Sequence, residues 1–105
     1  MPQDEVYEAM SSAFEQGAPV ALATVAQTLG STPRKTGAKM LVREDGSFVG
    51  TIGGGCGEAE VWQEAMDALD DGDARMVTVD LTEPVDGEDK ICGGVMRIFV
   101  ERLEA

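Results

Sequence analysis

Phe48-Val49-Gly50-Thr51-Ile52-Gly53-Gly54-Gly55-Cys56-Gly57-Glu58 holds the most informative change of pattern in the chain. It starts as an apolar run, breaks at consecutive glycines and restarts as a helical pattern. Residues 58 to about 70 place Ala59, Trp62, Ala65, Met66 and Leu69 on one stripe, the spacing of an amphipathic helix. A strand therefore runs through a glycine turn into a helix. Upstream, Lys39 to Arg43 and Phe48 to Ile52 flank Glu44-Asp45-Gly46-Ser47, and Asp-Gly between apolar runs predicts a β-hairpin.

Toward the N-terminus, residues 3 to 16 read as a helix, with Val6, Met10, Ala13 and Phe14 on one face and Gly17 past its end. Val20 to Ala26 is nearly all apolar, as expected of a strand covered on both faces. Thr28 to Gly37 is too rich in Gly, Pro, Ser and Thr for a regular element, and is expected to be a loop. Downstream, Asp70-Asp71-Gly72-Asp73 ends the second helix, Met76 to Leu81 and Met96 to Val100 read as strands, and an acidic loop, 82 to 90, leads to Ile91-Cys92-Gly93-Gly94. The expected architecture is α+β: a mixed β-sheet of about five strands covered by two helices, in one domain spanning 1–105.

Composition narrows the function. The 105 residues carry 20 acids against 8 Lys plus Arg, a net charge of −12. That balance excludes a basic face for nucleic acid and opposes an anionic membrane. No apolar run approaches the ~20 residues of a spanning helix, and the first residues lack a signal peptide's basic and apolar regions, so a cytoplasmic domain is expected. Without histidine there is no His general base and no His metal ligand. Two cysteines 36 positions apart form neither a CxxC pair nor a four-cysteine zinc site.

The charge is also unevenly placed. No acid occurs between Glu15 and Glu44, a stretch that holds Arg34, Lys35, Lys39 and Arg43, and none occurs between Asp45 and Glu58. A buried strand excludes acids by itself, which accounts for 20 to 26. It does not account for Arg34 and Lys35 in a loop, where an anion site would exclude carboxylates. Gly53, Gly54, Gly55 and Gly57 allow a nest of N–H groups, and the following helix start favours a phosphate. The plainer alternative is a tight strand-to-helix turn.

A thiol at a helix start, where the pattern places Cys56, is expected to carry more thiolate, the form that attacks electrophiles and ligates soft metals. Cys92 stands beside Gly93 and Gly94 in a similar setting. The alternatives are two small core hydrophobes or a disulfide, which nothing in the composition favours. Glu58 is either a helix-start residue that favours the dipole or a carboxylate beside the thiol. Trp62 reads as core, and Asp70, Asp71 and Asp73 as a solvated turn without the spacing of a calcium loop.

Five motifs then occur in order: Ala21-Leu-Ala-Thr-Val25, Gly30-Ser-Thr-Pro-Arg34, Gly37-Ala-Lys-Met-Leu-Val42, Gly50-Thr-Ile-Gly-Gly-Gly-Cys56 with Glu58, and Cys92-Gly-Gly94. Over residues 10 to 103 the chain resembles the N-terminal domain of the xanthine dehydrogenase accessory factor family (XdhC/CoxI). The resemblance implies a maturation protein for molybdenum hydroxylases such as xanthine or carbon monoxide dehydrogenase. Such a protein binds the molybdenum–molybdopterin cofactor, protects it during sulfuration and inserts it into the apo-enzyme, so a cofactor-binding chaperone is expected in preference to a turnover enzyme. Cofactor contacts would come from Ser31, Arg34, Lys39, Gly53, Gly54, Gly55, Cys56, Gly57, Glu58, Cys92, Gly93 and Gly94. Cys56 and Cys92 would serve the sulfur or metal, with Cys56 the expected molybdenum contact. Expected partners are an apo molybdenum hydroxylase, a cysteine desulfurase and a separate Rossmann-domain chain, since the family's second, Rossmann-like domain has no counterpart here. A homo-oligomer is compatible with this reading. Rival readings are a thiol-dependent oxidoreductase or sulfur-transfer enzyme using Cys56 and Cys92, or a partner subunit for that Rossmann chain.

Overall fold

The computed structural model describes residues 2–30, 32, 35–53, 57–81 and 94–104, with only the backbone of Pro2 and Gln3. Helix α1 (Pro2–Glu15) precedes strands β1 (Val20–Gly30), β2 (Lys39–Arg43) and β3 (Phe48–Gly50), helix α2 (Glu58–Asp71), and strands β4 (Arg75–Asp80) and β5 (Gly94–Leu103). The sheet order is β3-β2-β1-β5-β4. Five strands and two helices in this sequence make the expected α+β architecture. All four strand pairs are antiparallel, however, where a mixed sheet was expected. Three antiparallel connections between consecutive strands (β1–β2, β2–β3 and β4–β5) and a helical crossover from edge strand β3 to edge strand β4 give every neighbour the opposite direction.

Each face of the sheet has its own apolar layer. On one, Ala21, Ala23 and Val25 of β1 pack with Met40, Met96, Ile98 and the α2 residues Val61, Ala65 and Ala68. The four alanines are fully buried. Their small size brings α2 close to the sheet, and close approach gives many weak dispersion contacts. On the other face, Val20, Leu22 and Leu41 meet Val6 and Ala13 of α1. Strand β1 thus alternates between two cores, which is why it reads as a continuous apolar run.

That run does not stop at Ala26. The pairing with β5 shifts between Val25 and Gln27, then continues through Thr28↔Met96 and Leu29↔Val95 to Gly30↔Gly94. Residues 28 to 30 therefore belong to a strand where composition predicted a loop. A bulge absorbs one residue, and β5 supplies the backbone partners that polar side chains cannot advertise. Conversely, β3 ends at Gly50 rather than at Ile52.

Antiparallel order also sorts the connections. Strands β1, β3 and β4 run in one direction and β2 and β5 in the other. Connections 31–38, 51–57 and 81–93 therefore leave the sheet at the same end, and 16–19, 44–47 and 72–74 at the opposite end. Among the described residues no helix is long and apolar enough to cross a membrane.

Candidate functional site

All three motif-bearing connections depart from one end of the sheet. The described residues that bound them are Gly30, Lys35 to Lys39, Gly50 to Gly53, Gly57, Glu58, Leu81 and Gly94. Sequence separation is no guide to this grouping. Gly30 and Gly94 are paired in the ladder, Met40 faces Gly50, and the Leu81 N–H donates to the Gly94 carbonyl at 2.7 Å. Val25 N–H donates to the Ala38 carbonyl at 2.9 Å and Gly37 N–H to the Val25 carbonyl at 2.8 Å, which brings the second motif back beside β1.

The glycine loop is pinned at both ends. At Gly50, with φ +85°, an added Cβ would lie 2.5 Å from the Lys39 carbonyl oxygen and 2.7 Å from Val6 Cγ2. At Gly57, with φ +76°, it would lie 2.5 Å from Val79 Cγ1. Both positions need the left-handed backbone and the missing side chain. Gly57 is the N-cap of α2, and its carbonyl accepts from Val61 N–H at 3.2 Å.

Between these anchors Glu58 folds back over the loop. Its Oε2 accepts a hydrogen bond from the Thr51 hydroxyl and one from the Ile52 N–H at 3.3 Å. Thr51 Oγ1 in turn accepts from Gly53 N–H at 3.3 Å. A carboxylate bonded in a partly buried setting contributes roughly 1.5–3 kcal/mol per hydrogen bond. Glu58 therefore acts inward as a latch joining the entry of the loop to the start of α2. It also takes up one loop N–H group, which leaves that group unavailable to an anion. Sequence reasoning overlooked Thr51. The usable signal was a hydroxyl in the loop ahead of a first-turn carboxylate, a variation on the capping box.

Of the other expected site residues, Lys39 lies at the start of β2, part-buried, with Nζ donating to the Gly37 carbonyl at 3.3 Å. Gly53 is buried and Gly94 opens β5. Ser31, Arg34, Gly54, Gly55, Cys56, Cys92 and Gly93 lie outside the described residues. Among the described residues no three Asp, Glu, His or Cys side chains gather as a metal site. The acidic turn after α2 is structural: Asp71 accepts two bonds from Arg75 Nη2, at 2.5 and 2.6 Å, and one from Asp73 N–H at 2.8 Å. The Arg75 guanidinium lowers the Asp71 pKa.

An apolar groove of about 340 Å³ adjoins the loop, between the β3 edge and α2, lined by Met40, Gly46, Phe48, Glu58, Ala59 and Trp62. Trp62, expected in the core, is only partly buried against it, and its indole N–H donates to the Gly46 carbonyl at 2.9 Å. A second concavity, about 330 Å³, lies near the opposite end between α1 and the 44–47 turn. It contains none of the expected site residues.

The sheet-end cluster defines an α+β domain with a latched glycine loop, and similarity to known proteins fixes its family. A model of the XdhC and CoxI family matches residues 13–80, and the chain belongs to that family. It is 43% identical over 89 residues to the uncharacterized protein YqeB of Escherichia coli, which covers 82% of this chain and 16% of that protein. It is 33% identical to a Bacillus subtilis protein named as a probable subunit of xanthine dehydrogenase, covering 78% of this chain and 26% of the relative. To the molybdenum cofactor insertion chaperone PaoD of E. coli it is 31% identical, covering 89% and 29% respectively. A crystal structure described as a xanthine dehydrogenase from Bacillus halodurans superposes with a TM-score of 0.77 at 31% identity, over 90% of this chain and 29% of that one. The chain thus spans between about a sixth and three tenths of the length of these relatives.

Proposed function

We propose that this domain handles the molybdenum–molybdopterin cofactor during maturation of a molybdenum hydroxylase, holding it for sulfuration and delivery to the apo-enzyme. The observation that carries the reading is the convergence of all three motif-bearing connections at one end of the sheet. Family membership supports it, and one relative is named a molybdenum cofactor insertion chaperone. The cofactor would supply a soft metal centre, a dithiolene and a phosphate. Ser31, Arg34 and Lys39 would hold the phosphate from the acid-free segment, since a dianion is stabilised by cations with no carboxylate nearby. Gly53, Gly54, Gly55 and Gly57 would leave room for a bulky ligand beside Cys56. Cys56 and Cys92, with Gly93 and Gly94, would present thiolates to the metal or to the incoming sulfur.

In this reading the domain works cytoplasmically beside an apo molybdenum hydroxylase, with a cysteine desulfurase as the sulfur source and a Rossmann-domain chain as a further partner. The test is anaerobic purification from a host that makes molybdopterin, followed by acid oxidation and assay of fluorescent pterin. Near-stoichiometric pterin in the wild type and its loss in Cys56→Ala is the expected result. Equal pterin in both would remove Cys56 from the site, and none in either, even with the Rossmann chain added, would overturn cofactor carriage. Depressed thiol pKa values with reversible Cys56–Cys92 disulfide formation, and no bound pterin, would favour the oxidoreductase reading.

A further inference from the structure

We infer that the groove between β3 and α2 is the seat of a flat, amino-bearing bicyclic ring of the pterin class, held by Phe48 and Trp62. The inference rests on the proposed cofactor reading and adds to it a subsite whose residues, apart from Met40 and Glu58, lie outside the five motifs.

Four observations carry it. The groove, about 340 Å³, falls within the ~300–1,000 Å³ range of small-molecule sites, and its walls are Met40, Phe48, Ala59 and Trp62. Phe48 is 52% exposed, a large ring on an edge strand half open to solvent, and an aromatic face so placed is available for offset stacking with another flat ring. Trp62 is held in place, because its indole N–H is already bonded to Gly46. It therefore offers a preorganised face, and preorganisation reduces the entropy lost on binding. Finally, among the described residues Glu58 is the charged one lining the groove. A carboxylate there accepts N–H groups and repels anions. That charge selects the ring of a phosphorylated pterin over its phosphate, and it disfavours fatty acids, carboxylates and nucleotide phosphates.

The chain has a single tryptophan, Trp62, so its fluorescence reports on this groove directly. Titration with 6-hydroxymethylpterin, which carries no phosphate, dithiolene or metal, should quench Trp62 saturably and excite the pterin by energy transfer. Phe48→Ala should weaken binding roughly tenfold, the loss of one stacking wall, and Glu58→Gln several-fold less than that. Because Phe48 is half exposed, its removal leaves the fold intact, which far-ultraviolet circular dichroism checks. Octanoate at equal concentration, apolar but anionic, should not compete. Unsaturable quenching, unchanged affinity in Phe48→Ala, or displacement by octanoate would each overturn the assignment. Cofactor carriage is judged separately. Full retention of cofactor by Phe48→Ala would sink the groove and leave carriage standing. Binding of free pterin through Phe48 without copurified cofactor would do the reverse.

Discussion

The two ends of the sheet are built on opposite plans. At the 44–47 end the chain closes with short, locally satisfied devices. Asp45 accepts Ser47 N–H at 2.8 Å and the Ser47 hydroxyl at 2.5 Å, Gly72 caps α2 with its N–H on the Ala68 carbonyl, and Asp71 grips Arg75 four residues on. At the motif end the connections are long, and the described contacts join distant residues: Gly30 with Gly94, Met40 with Gly50, Gly57 with Val79. The first plan closes the sheet by local chemistry. The second relies on the tertiary fold to hold the ends of its connections in place.

This contrast is most vulnerable at Gly50. Gly50→Ala places a Cβ against a backbone carbonyl and the α1 side chain Val6, and forces a non-glycine residue to positive φ. Strain and overpacking together should cost about 3 kcal/mol, read as a lower urea midpoint at constant m-value. A loss under roughly 1 kcal/mol would mean that the loop adjusts and is not pinned.

Next comes the latch. Thr51→Val removes the hydroxyl that donates to Glu58 and accepts from Gly53, and should cost roughly 1–2 kcal/mol. Glu58→Gln should cost less, because the amide oxygen still accepts both bonds. Equal losses for the two would show that the charge contributes as much as the hydrogen bonding to closing the loop.

A smaller effect belongs to the whole surface. At a net charge of −12 self-repulsion opposes the compact state, and salt screens it. Urea midpoints should therefore rise from low to molar KCl, and a flat series would discard the idea.

The smallest effect lies at the far end. Hydrogen bonds from Arg75 hold the Asp71 carboxyl below its usual 3.8, and those from Ser47 do the same for Asp45. A lowered folded-state pKa means that the unfolded chain binds protons more readily. This stabilisation is present above about pH 4 and is lost as pH falls through the folded value. Asp71→Asn should slightly reduce stability at pH 7 and flatten the decline below pH 4, measured by thermal midpoints across pH. Both residues are solvent-exposed, so the change should be modest.

The elements at the far end are legible in the chain because their signals are local. Asp45-Gly46 marks its hairpin, Gly72 its helix end, and the apolar stripe through Ala65 and Leu69 the second helix. Glycine, cysteine and the missing acids likewise mark the motif residues as unlike scaffold. Residues 28 to 30 have a loop's composition, and their strand character comes from pairing with β5, 64 residues away at Gly30↔Gly94. Strand direction has no local signal either, and direction is what brings three separate connections to one end. Glu58 illustrates the division: its place at a helix start follows from local pattern. Only the folded loop, with Thr51 and the Ile52 N–H turned toward it, makes the carboxylate point inward. Phe48 and Trp62 likewise alternate as ordinary strand and helix residues, and it is the position of α2 over the sheet, with Trp62 bonded to Gly46, that sets them around one groove. Periodicity tells which face a residue occupies. What lies across from that face depends on contacts between elements far apart in the chain.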